Sequence, residues 1–116
     1  MSSSNVTVVE IIPINRCKYC LISAPDVGLA GAIALGFIIQ EQQMPEVGYL
    51  ESEEFPPVMV IHQGEPKSPF RIYSKGDIAA FFYEIPLDPY MIPASARAIT
   101  DWAKSKNVQA QSGEYR

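Results

Sequence analysis

The chain has 116 residues, 47% of them hydrophobic, with a formal net charge of -4 and a single histidine. That length predicts one domain with a real core rather than two, and the acidic balance leaves no basic surplus to neutralise the phosphates of a nucleic acid. The longest apolar stretch is broken by Pro25 and Asp26, too early to span a bilayer, and residues 1–15 lack the basic start and apolar block of a secretory signal. The expectation is a cytoplasmic protein without membrane contact.

A polar lead, residues 1–5, precedes a β-branched run at 6–12 that ends before Pro13 and reads as a strand. A second apolar run, 20–24, reads as a strand buried on both faces. Pro25 and Asp26 then form a hinge, because proline disfavours helix for the residue before it and Asp26 can cap the free amides of the helix that follows. That helix is expected over 27–43, stopped by a polar Gln-Glu-Gln-Gln run and by Pro45. Gly28, Ala32 and Gly36 recur every fourth residue and so share one helix face. Glycine inside a helix costs about 1 kcal/mol relative to alanine, so the repeat favours close backbone packing over ligand binding.

Residues 47–50 read as the next strand, and strand, helix and strand in succession usually give parallel neighbours. An acidic patch at Glu51, Glu53 and Glu54 and the pair Pro56-Pro57 lead into an apolar strand at 58–62. Turn formers fill 63–69 before an alternating strand at 70–73, so a hairpin between these two strands is expected. A tight turn at 74–77 and a continuous apolar run at 78–85 add a central strand. Prolines 86, 89 and 93 mark an extended loop, and 94–106 has helical spacing with Ile99, Trp102 and Ala103 on one face. Lys104 and Lys106 lie in its last turn, where cations suit the helix dipole, and Asn107 is a plausible terminator. Residues 109–116 are expected to be a flexible tail. The fold class is therefore α/β: a mixed, mostly parallel sheet with an antiparallel hairpin section, flanked by helices.

Chemical motifs are sparse. Cys17-Lys-Tyr-Cys20 has dithiol spacing, but it leads into a strand rather than opening a helix, and strand alternation would turn the two thiols to opposite faces. Zinc would need about four ligands, and His62 is the one histidine. His62 has Glu65 near it in sequence, yet a general base also needs a cleft, so it reads as a strand-end polar residue. The glycines at 28 and 31 lack dinucleotide-loop spacing, and Asp26 at a helix start would compete with a phosphate for the same amides. The acidic patch reads as a solvated loop rather than a cation site. No cofactor, metal or catalytic set is expected.

These elements, in order, resemble the family of archaeal and eukaryotic proteasome assembly chaperones. The resemblance runs from about Cys20 to Val108. It includes the Pro25-Asp26-Val27-Gly28 turn, the small-residue helix, the strand at 47–50, Phe55-Pro-Pro-Val58, Gly64, Pro69, the strand at 78–84 and the helix at 94–106. It implies a phosphorylase/hydrolase-like α/β fold and a non-enzymatic protein that binds proteasome α-subunits and aids core-particle assembly. Two alternatives stand beside it: an enzyme or binder for nucleoside-like small molecules, with a polar pocket near Asp26 or His62, and a structural oligomerisation module.

The chain departs from the family in two ways. The family domain is about twice as long, so the sheet is expected to be incomplete, as a cut product or as a short variant that completes itself in a homo-oligomer. Some members end in a hydrophobic residue, a tyrosine and one final residue that enter pockets between α-subunits. Tyr115 and Arg116 match the last two positions, whereas Glu114 puts a charge where the apolar residue belongs. An end in arginine is also what trypsin-like cleavage leaves.

Overall fold

A computed structural model describes residues 5–23 and 29–106, with side chains from residue 33 onward in the first helix. Seven strands form: β1 (Thr7–Glu10), β2 (Tyr19–Ile22), β3 (Glu46–Glu51), β4 (Val60–His62), β5 (Glu65–Lys67), β6 (Phe70–Lys75) and β7 (Ile78–Tyr83). Two α-helices, α1 (Leu29–Glu41) and α2 (Ile92–Lys106), and a 3₁₀ turn at Pro89–Met91 complete the described chain. Five strands make one sheet in the order β1-β3-β6-β7-β2, and β4 and β5 form a separate ribbon.

The expected mixed α/β sheet is present, but its balance is reversed. Only β2–β7 is parallel, whereas β1–β3, β3–β6 and β6–β7 are antiparallel. The strands on either side of α1 run in the same direction, as expected, yet β6 and β7 lie between them. Local sequence carries the direction of that crossover and not which strands fill it. The expected hairpin is also re-partnered. β4 pairs with β5 across Gln63-Gly64, both at positive φ (54° and 81°), which is the geometry of a two-residue type I′ loop. β6 instead turns at Gly76 (φ 63°) into β7.

Alternation along β7 sorts the core into two faces. Ala79, Phe81 and Tyr83 point toward α2, where the larger core gathers Phe70, Ile72, Met91, Ile99 and Trp102. Phe81 meets Trp102 edge to face, with centroids 5.4 Å apart and planes at 82°. Ala80 and Phe82 point the other way, under Leu35, Ile39 and Met44. Burying each large side chain contributes about 2 kcal/mol, so the α2 face is the heavier anchor. Gly36 sits over the Phe82 ring, 3.5 Å from where its Cβ would be, so α1 does use a small residue to approach the sheet.

Helix α1 ends with the hydrogen bonds of a Schellman motif. Gln43 adopts positive φ, its amide donates to the Gln40 carbonyl at 3.1 Å, and the Met44 amide donates to the Ile39 carbonyl at 3.0 Å. Met44 and Ile39 then close the apolar contact that accompanies this ending. Helix α2 starts two residues before the sequence expectation, with Pro93 tolerated in its first turn. Its last turn returns to β1: Lys106 Nζ lies 2.6 Å from Glu10, and the Trp102 indole donates to the same carboxylate at 2.8 Å.

Candidate interaction surface

Apolar side chains left in solvent define two patches. The outward face of α1 carries Ile33, 67% exposed, and Phe37, 63% exposed, one turn apart, with Ile38 beside them. A surface helix usually presents a polar outer face, and this one does not. The second patch surrounds a groove of about 710 Å³ walled by Ile11, Tyr49, Phe55, Pro57, Met59 and Pro66. Met59 is 59% exposed there.

A cavity of about 440 Å³ opens between the end of α1 and the β4–β5 turn, with an apolar wall of Ile39, Met44 and Phe82 and polar groups from Gln40, His62, Arg71, Tyr73 and Glu84. Arg71 is 2% exposed. Its guanidinium donates to Glu84 at 2.7 Å, to the Ser68 carbonyl at 2.9 Å and to the Tyr73 hydroxyl at 2.9 Å, and stacks near Phe82 with 5.6 Å to the ring centroid. Burial works against the charged guanidinium, but the Tyr73 and Glu84 contacts outweigh it and hold it protonated. Sequence reading passed over this pair. A charge in the middle of an alternating strand, Phe70-Arg71-Ile72, was the available signal.

The residues singled out by sequence scatter. His62 stands at the end of β4 opposite Glu65, exposed, in the lining of the cavity. Glu54 accepts from the Tyr90 hydroxyl at 2.6 Å, and that bond pushes the phenol's pKa up. Among the described residues no three acidic, cysteine or histidine groups converge as a metal site would require, and no helix is long and apolar enough to cross a membrane. Pro25, Asp26 and Gly28, and the chain end Glu114, Tyr115 and Arg116, lie outside the described residues.

The cysteines differ from expectation. Cys17 precedes β2 rather than lying in it, so strand alternation does not separate the pair, and the two sulfurs face each other at 3.3 Å. A hydrogen bond from the Cys20 thiol eases ionisation of Cys17, and the proton shared in this way is held on Cys20, whose pKa rises.

Comparison with known proteins fits this architecture. The model of the PAC2 family matches residues 20–111. The chain belongs to the PAC2 family. It is also similar to crystal structures of Pyrococcus furiosus PbaA, described as an archaeal homologue of proteasome-assembly chaperone. The monoclinic form superposes with a TM-score of 0.79 and 31% identity, over 89% of this chain and 42% of that one. A second PbaA structure gives 0.74 and 30%, over 90% and 45%. A Thermoplasma acidophilum protein of unknown function shares the fold, with a TM-score of 0.62 and 24% identity over 80% of this chain and 38% of that one. A search of curated proteins finds no match. This PAC2 chain spans less than half the length of the structures it resembles, in their N-terminal part.

Proposed function

We propose that this PAC2 chain is a non-enzymatic, chaperone-like protein that binds proteasome α-subunits and assists assembly of the core particle. The observation that carries the reading is the match to PbaA along nearly the whole chain. The apolar outer face of α1 and the proline-walled groove support it, since a binding protein needs contact surface rather than an acid-base pair. In this reading Tyr115 and Arg116 contribute contacts to the α-subunit, and the charge of Glu114 weakens them. The edge of β2, paired only with β7 among the described residues, is where a homo-oligomer would extend the sheet.

Immobilised chain incubated with purified α-subunits from the same source tests the proposal. Retention of α-subunits supports it, and no retention with the C-terminus intact, while a known activator retains them, refutes it. One observation favours a second reading: the cavity beside His62, apolar-walled with a few polar groups, is of ligand size. A nucleoside that raises the melting temperature of the wild-type chain, but not of a His62→Ala variant, would favour that reading.

A further inference from the structure

We propose that Cys17 and Cys20 form a site of reversible oxidation, a dithiol that closes to an intramolecular disulfide on reaction with a peroxide. Both cysteines are free, and their sulfurs face each other at 3.3 Å, with one thiol hydrogen-bonded to the other. The geometry is fixed from both sides. Amides of Lys18 and Tyr19 donate to the Asp77 carbonyl at 2.7 and 3.1 Å, which pins the segment between the cysteines to the turn before β7. Cys20 is then held in the parallel register of β2, opposite Ala79.

Access divides the roles. Cys17 is 1% exposed, whereas Cys20 is half-buried on the edge strand. Cys17, the sulfur whose ionisation the shared hydrogen bond favours, takes the proton of the Cys20 thiol as Cys20 attacks a peroxide oxygen, forming a sulfenic acid and releasing hydroxide. The hydroxide takes a proton from solvent and leaves as water. The Cys17 sulfur then displaces the sulfenic hydroxyl, which departs as a second water, and the disulfide forms. In sum, two thiols and one hydrogen peroxide give one disulfide and two waters, with two electrons passed from sulfur to oxygen. A thiol reductant reverses the change.

The test exposes the reduced full chain to hydrogen peroxide, alkylates it and measures its intact mass. The expected result is a loss of about 2 Da with neither cysteine alkylated, and two alkylations after reduction. Cys20→Ser should abolish the loss, and Cys17→Ala should leave Cys20 as a sulfenic acid trapped by dimedone. Should the Cys17 variant fail to fold, the wild-type and Cys20 measurements still decide. Two alkylatable thiols remaining in wild type after peroxide, or stepwise gain of oxygens on one cysteine without the loss, would overturn the proposal.

Discussion

Glu10 joins the two ends of the described fold, and replacing it with alanine should cost more than a surface glutamate would. One carboxylate oxygen accepts from the Ile14 amide at 3.0 Å, and the other accepts from the Trp102 indole at 2.8 Å and from Lys106 at 2.6 Å. Trp102 is buried, so its orphaned indole loses about 1.5 kcal/mol and the Ile14 amide about 1 kcal/mol. The Lys106 pair keeps some solvent access and is discounted to about 0.5 kcal/mol. The sum is about 3 kcal/mol, which for a domain of this size lowers the melting temperature by about 12 °C.

The same carboxylate should give this loss a pH signature. Burial raises its pKa, but the bonds from Lys106, Ile14 and Trp102 outweigh that and leave it below the ordinary 4.5. A group with a depressed folded pKa stabilises fully above its unfolded value and loses that contribution as pH falls through the folded one. The gap between wild type and Glu10→Ala should therefore be widest near pH 7 and narrow below pH 4.5. Thermal unfolding followed by circular dichroism at several pH values reads both effects. A shift under about 3 °C, or a gap that stays constant down to pH 3, would refute the reasoning.

Other substitutions probe different parts of the account. Gly48→Ala drives a Cβ into the Val9 carbonyl oxygen, so β1 must move off β3, and denaturant melts should show a loss of about 2 kcal/mol or more. Arg71→Met strands Glu84, Tyr73 and the Ser68 carbonyl and should cost about 3 kcal/mol, with the Glu84 part of it recovered in Arg71→Met/Glu84→Leu. Recovery of nothing in that double variant would place the cost elsewhere. Ile33→Ser with Phe37→Ser should change stability by less than about 1 kcal/mol, because both side chains are exposed, while weakening α-subunit retention at least several-fold. Equal retention would remove the α1 face from the binding surface.

Much of the fold was legible because local patterns decide it. The β-branched run gave β1, the uninterrupted apolar run gave β7, and Ile99, Trp102 and Ala103 marked the buried face of α2. Strand partnership was not legible. The turn formers between His62 and Phe70 hold a whole short strand, β5, and composition alone does not distinguish that from a loop. The parallel share of the sheet was overestimated for a related reason: β2, α1 and β3 advertise a parallel crossover, while the antiparallel strands filling it come from further along the chain.

The site was legible only in outline. Arg71 and Glu84 meet because Arg71 lies opposite Phe82, two residues before Glu84 just past the end of β7, a fact of register rather than of sequence distance. The exposed face of α1 escaped notice because a helix that is apolar all round reads as one that is buried all round. The cysteines were assigned to opposite faces because strand alternation was applied to a pair that only leads into the strand, and Cys17 lies two residues before β2 begins.

Assembly itself tests the central claim most directly. Purified α-subunits are mixed with and without the chain, and the mass of each complex is followed by native mass spectrometry. The account predicts a complex containing both proteins and faster appearance of α-rings when the chain is present. Free chain beside α-rings that form at an unchanged rate would contradict it.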